Sequence, residues 1–217
     1  MAGVVVGLEA EARIARRLGL PVEIGGGDAA GAEAATRRLI AAGARGLISF
    51  GLCGGLDPDL KAGDLLVPGE ILCEDGERFE TDSELNFYLG GATPHVVLGA
   101  GGLLSRASAK LRRWQTTGAS AVDLESGAVA RAAVRHGVPH ACLRAVCDAA
   151  GDSLPPAAIT ALDPSGRIRI AAVAWSVLSH PGQILALIGL AAKAGLARRA
   201  LGQRVSKVGL SLRRHSN

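Results

Sequence analysis

The sequence predicts a three-layer α/β/α sandwich around a mixed central sheet. Three observations lead there. Short apolar runs bounded by glycine alternate with amphipathic stretches of helix length. Ala, Gly, Val and Leu dominate, with 30 glycines and only 3% aromatic residues in 217, a usage suited to close packing and tight turns. At this length about 70% of the unfolded chain's surface can be buried, so no disulfide or metal staple is required.

The first strand is expected over residues 3–7 and a helix over 9–18. Gly25-Gly26-Gly27 precedes Asp28, a good N-cap, and a second helix to residue 42. Residues 46–50 read as a buried strand that closes on a glycine-rich turn, Gly51-Leu52-Cys53-Gly54-Gly55. Two short strands, 64–67 and 70–73, flank Pro68, and the acidic stretch 74–93 is expected as an irregular, mobile loop. A buried strand over 96–99 is followed by a helix from a Ser105 cap to residue 114. Residues 119–123, a helix over 125–136 and a strand over 141–146 complete a β-α-β rhythm. Asp163-Pro164 opens a helix to residue 178, with proline at its first position. No internal repeat and no linker divides the chain.

The formal charge of +4 hides a split. All 20 acidic residues lie at or before Asp163, so residues 1–163 carry −5 and the last 54 carry +9. A basic end on an acidic body suits anionic lipid, nucleic acid or an acidic neighbouring subunit, and its few aromatics weigh against single-stranded nucleic acid. Residues 182–202 form a helix that is apolar early and basic late, the pattern of an interfacial helix. The apolar run 184–192 is too short to span a bilayer, and no signal peptide is read at the start. Cys53, Cys73, Cys142 and Cys147 contain no CxxC pair and no metal-ligand spacing, which suggests free thiols in a cytoplasmic protein.

Three carboxylates stand at strand ends, where ligand crevices of α/β sheets open: Glu11, Glu125 and Asp148. Each alone is as well explained by a helix dipole or a turn cap. Their neighbours form a more specific pattern. Val5-Val6-Gly7-Leu8-Glu9-Ala10-Glu11 resembles the opening strand and turn of the methylthioadenosine/S-adenosylhomocysteine nucleosidases. Gly51-Leu52-Cys53-Gly54-Gly55-Leu56, Val122-Asp123-Leu124-Glu125-Ser126-Gly127 and Leu143-Arg144-Ala145-Val146-Cys147-Asp148 resemble, in order, further motifs of the nucleoside phosphorylase superfamily. The basic, apolar end is most similar to the hopanoid-associated branch.

The resemblance implies cleavage of a purine N-glycosidic bond within residues 1–163, with 164–217 as C-terminal helices of the same domain. It assigns Asp148 to protonation of the departing adenine, in an apolar surrounding, and Glu11 to activation of water, with Glu9 as the alternative. Glu125 would accept hydrogen bonds from the ribose hydroxyls. Gly102 and Leu103 would present main chain to the base, Leu8 would line the pocket for the 5′ substituent, and Gly54, Leu124 and Cys147 would complete the contacts. Leu52 and Cys147 stand where many relatives carry serine. No arginine precedes the glycine-rich turn to hold phosphate, which favours water, although phosphate stays open as a co-substrate. Gly25-Gly26-Gly27 at a helix start is a second place for an anion, opposed by Asp28. Phe79, Phe87 and Tyr88 are expected in a lid or in local packing. Implied substrates are adenosylhopane or a small thioether nucleoside. A catalytically silent nucleoside- or lipid-binding protein is the rival, and relatives are usually homo-oligomers.

Overall fold

A computed structural model describes residues 1–159 and 181–214. The helix expected over 164–178 lies outside these residues. In chain order the elements are β1 (Ala2–Val6), α1 (Glu9–Ala15) with a 3-10 turn (Arg16–Leu18), β2 (Val22–Ile24), α2 (Ala29–Ala41), β3 (Gly46–Gly55), β4 (Leu65–Leu66), β5 (Pro68–Cys73), β6 (Arg78–Glu80), α3 (Ser83–Tyr88), β7 (Thr93–Gly99), α4 (Ala107–Thr117), β8 (Ala121–Asp123), α5 (Ser126–Arg135), β9 (His140–Asp148), α6 (Pro156–Ile159) and α7 (Ile184–Arg214).

The nine strands among the described residues form one mixed sheet in the order β2-β1-β3-β8-β7-β5-β6, with β9 branching from β3 and β4 pairing with β9. Alternating side chains on the central strands feed two layers. Val4, Val6, Ile48, Phe50, Leu143 and Ala145 pack against Ala12 and Ala15 of α1 and Ala197, Leu201 and Val205 of α7. Val5 and Leu47 face the other way, onto Ala32, Ala35 and Leu39 of α2 and Val129 and Ala133 of α5. Small residues dominate the helix faces, so helices lie close to the sheet. At one point backbone nearly meets backbone: a Cβ on Gly99 of β7 would stand 2.7 Å from the Gly127 Cα of α5.

Two expectations are corrected. The glycine-rich segment is not a turn, because β3 continues unbroken to Gly55 and none of its glycines has a positive φ. β1 pairs with β3 only as far as Val6–Phe50. Beyond that point β9 continues on one edge of β3, and β8 pairs antiparallel through Gly54 and Gly55. A register shift between Cys53 and Gly54 re-aims the end of the strand, as a bulge does. Nor is 74–93 an irregular loop. Residues 78–80 form β6 against β5, and Asp82 caps α3 by accepting from the Leu85 N–H at 2.8 Å.

Candidate active site

Where β1 stops and β8 takes over the edge of β3, four acidic side chains and one arginine are buried together. Glu11 belongs to the first turn of α1 and is 3% exposed. Its Oε2 accepts from the N–H groups of Gly7 (3.1 Å) and Leu8 (2.8 Å), and its Oε1 from Leu52 N–H (2.8 Å). Burial raises its pKa, against the opposing pull of Arg144 and the three amides. Gly51 is required beside it. A Cβ there would stand 2.6 Å from Arg144 Nη1 and 2.7 Å from Glu11 Oε1.

Arg144 sits mid-way along β9, wholly buried. Its guanidinium pairs with Asp123 (2.7 Å) and Glu125 (3.4 Å) and donates to Ser49 Oγ at 2.6 Å. Asp123 also braces the turn into α5, its Oδ1 accepting from the Glu125 and Ser126 N–H groups, both at 2.8 Å. Glu125 is pushed up to about 8, by burial first and then by Glu11 and Asp123, with Arg144 opposing. Its Oε1 has no hydrogen-bond partner among the described residues. That oxygen lies against Gly7, where a Cβ would collide with it. One guanidinium thus faces three carboxyl groups, of which Glu11 and Glu125 have raised pKa values.

Asp148 ends β9 with its carboxyl over Gly54, 3.3 Å from where a Cβ would be. The surrounding expected for it, apolar alone, also holds a buried charge. Lys110 of α4, 1% exposed, forms an ion pair with Oδ2 and donates to the Ala149 carbonyl at 2.9 Å. Cys147 donates its thiol to Oδ1 at 3.0 Å, and burial and Asp148 push that thiol up. Gly54, Gly102, Leu103, Leu104, Lys110, Val122, Asp123, Leu124, Asp148 and Leu154 line one cavity of about 50 Å³. Gly102, Leu103 and Leu124 thus share this cavity with Asp148, and Leu103 is 49% exposed at the rim.

Other expected features sit elsewhere or act differently. Leu8 is half-buried at the N-cap of α1 and reaches the site through its N–H. Leu52 likewise contributes an N–H while its side chain packs into the core, so this contact needs no serine. Glu9 turns outward to Arg16, at 2.9 Å. Gly25-Gly26-Gly27 offers no anion site, because Gly25 and Gly26 donate to the Val6 and Gly7 carbonyls and Asp28 occupies the helix start through Gly31 N–H (2.7 Å). Phe79 is a core residue, edge-on to His140, whereas Phe87 is 84% exposed. Ser105 does not cap α4: Arg106 is at the cap position, and Ser153 Oγ accepts from Ala107 N–H at 3.1 Å. Arg144, Asp123 and Lys110 were not singled out from sequence. Arg144 had a signal, a charge inside an otherwise apolar strand. Lys110 had none, since a helix lysine beside two arginines reads as solvated.

This arrangement holds a carboxyl with raised pKa at one end, an ion-paired acid at the other, and a carboxyl oxygen free to accept hydrogen bonds between them. No group of His, Cys, Asp and Glu among the described residues is placed to hold a metal ion. None of the curated proteins matches the chain in sequence. Solved structures do match in fold. A 5'-methylthioadenosine/S-adenosylhomocysteine nucleosidase from Neisseria meningitidis, in complex with methylthio-immucillin-A, superposes with a TM-score of 0.70 at 16% identity over 95% of this chain and 97% of that one. The corresponding nucleosidase of Helicobacter pylori gives 0.66 at 18% identity, over 95% and 97%. Futalosine hydrolase of the same organism gives 0.60 at 20% identity, over 68% and 87%. The family model described as the phosphorylase superfamily matches residues 17–95 and 92–179, which include β3, β8 and β9 with Asp123, Glu125, Arg144 and Asp148. On that match the chain belongs to the phosphorylase superfamily.

Proposed function

We propose that this protein hydrolyses the N-glycosidic bond of an adenine nucleoside. The observation that supports the reading is the burial of Glu11, Glu125 and Asp148 together around the end of β3. Cleavage develops positive charge on the sugar and negative charge on the base. Glu11, with its raised pKa, takes the proton of the attacking water. Glu125 offers its unpartnered Oε1 to the ribose hydroxyls. Asp148 faces the base edge, and the Gly102–Leu103 main chain borders the same cavity. At about 50 Å³ that cavity holds only a water or two, so a purine enters as the 101–104 segment moves outward.

Water rather than phosphate is the nucleophile. The N–H groups of Gly7, Leu8 and Leu52 form a cradle of the kind that binds anions, and the Glu11 carboxylate fills it. A phosphate there would displace the base and meet a second negative charge.

For the substrate we favour an adenosyl lipid such as adenosylhopane over a small thioether. The first half of α7 exposes Ile184, Leu185 and Ile188 among the described residues, with Leu185 82% exposed. Further along, Arg198 and Arg199, with Arg17 of the 3-10 turn after α1, line an open hollow of about 510 Å³. Apolar side chains followed by arginines suit the interface of an anionic bilayer. The test is adenine release from adenosylhopane in detergent and from methylthioadenosine, each with and without phosphate. Release from the lipid without phosphate is expected. Release from methylthioadenosine alone would transfer the protein to small-nucleoside chemistry, strict dependence on phosphate would refute hydrolysis, and no release would leave a binding protein.

A further inference from the structure

Lys110 is the one buried residue of α4, and its ammonium is spent neither on solvent nor on a surface carboxylate. A lysine held this deep is costly unless paired, and its partner here is the proposed leaving-group acid. A second acceptor, the Ala149 carbonyl, holds Nζ in place, and Lys110 and Asp148 line the same cavity. An ion-paired carboxylate carries no proton to give, whereas the ammonium beside it does.

Resting on the nucleosidase reading, we propose that Lys110 is the proton source for the departing base, with Asp148 as its carrier. With nucleoside bound, Nζ passes one proton to Asp148 Oδ2, leaving a neutral amine beside a neutral acid. As the C1′–N9 bond breaks, its electron pair moves into the purine and Oδ2 gives that proton to N7. The water oxygen bonds C1′, and its proton goes to Glu11. Lys110 then regains a proton from solvent, and Glu11 releases to solvent the proton it took from water, so the turnover is proton-neutral overall. The pair therefore loses and recovers one proton per turnover. Lys110 acts through Asp148 and so is a positioning and proton-supplying residue, a role beyond that of a counterion.

The experiment compares Lys110→Met, Lys110→Arg, Asp148→Asn and the Lys110→Met/Asp148→Asn double variant. Each is assayed on the adenine nucleoside that the parent cleaves best and on p-nitrophenyl β-riboside, whose leaving group needs no proton. Melting temperature and adenine binding verify folding. Lys110→Met is expected to lose about 100-fold or more in kcat on the nucleoside and to stay within about threefold on the aryl riboside. Lys110→Arg keeps the ion pair without a transferable proton, so it should lose as much as Lys110→Met. The double variant should fall no further than Asp148→Asn, as for residues working as one unit. Near-parental kcat in folded Lys110→Arg, equal losses on both substrates, or multiplying losses in the double variant would each overturn the proposal. If the parent does not accept the aryl riboside, the arginine and double variants decide. Parental release of adenine with an unaffected Lys110→Met would refute this inference alone, whereas a parent that releases none would refute the nucleosidase reading as well.

Discussion

At the scale of single residues, the site is an electrostatic problem solved by Arg144. Its charge is shared among Asp123, Glu125 and Glu11, so removing it leaves several buried carboxyl groups without compensation. Arg144→Met is expected to cost about 3–5 kcal/mol of stability, read as a large drop in denaturation midpoint. Glu125 adds a pH signature. Its pKa rises on folding from near 4.5 to about 8, so between those values the native state holds the proton that the unfolded state has released. That contribution is complete below about 4.5 and is lost as pH climbs through about 8. Glu125→Gln should therefore flatten the fall in melting temperature between pH 5 and 8. An unchanged slope would show that the carboxyl titrates normally. The three carboxyls were legible in the sequence because each stands at a strand end beside a recognisable motif. Lys110 was not, because burial of a helix lysine depends on tertiary packing that no local pattern records.

Among elements, β3 decides the geometry. Its glycines read as a turn from sequence, since glycine commonly marks one, yet here they serve close approach and leave room for Glu11, Arg144 and Asp148. Gly51→Ala should abolish activity and lower stability together, because the new methyl displaces both Arg144 and Glu11. Gly99→Ala is expected to lower the melting temperature by several degrees by pushing α5 from β7, since the obstacle is Gly127 backbone that has no rotamer to change. Gly102→Ala makes the contrast: nothing lies within 4 Å of the added carbon, so the melting temperature should hold. The alternation of strands and helices, and most central strands, followed directly from apolar periodicity. β6 and α3 did not, because short elements in an acidic stretch are stabilised by pairing with β5 and by the Asp82 cap rather than by their own pattern.

Considered whole, the molecule separates an acidic body from a basic end, and α7 joins them by packing Ala197, Leu201 and Val205 onto the sheet while Leu185 and Ile188 stay exposed. A Leu185→Lys/Ile188→Lys variant should lose sedimentation with vesicles rich in anionic lipid and keep parental melting, since neither side chain belongs to the core. A parent that does not sediment would refute the proposed membrane contact, and cosedimentation that persists in the variant would remove Leu185 and Ile188 from it. The charge split and the apolar-then-basic end were readable from the order of residues along the chain, though not from the net charge. The convergence of β1, β8 and β9 on one crevice was not, because it depends on where β1 ends relative to β3.

That early end of β1 has a consequence for how such a chain diversifies. Glu11 and Glu125 follow β1 and β8 and Asp148 ends β9, three strands each hydrogen-bonded to the same β3, so their mutual spacing is set mainly by backbone pairing. The 101–104 segment and the start of α7 lie outside that ladder. Insertions, deletions or swaps in those peripheral pieces can reshape the rim of the crevice while the distances among the three carboxyl groups stay put. A drift in substrate preference is therefore available by changing outlying segments alone.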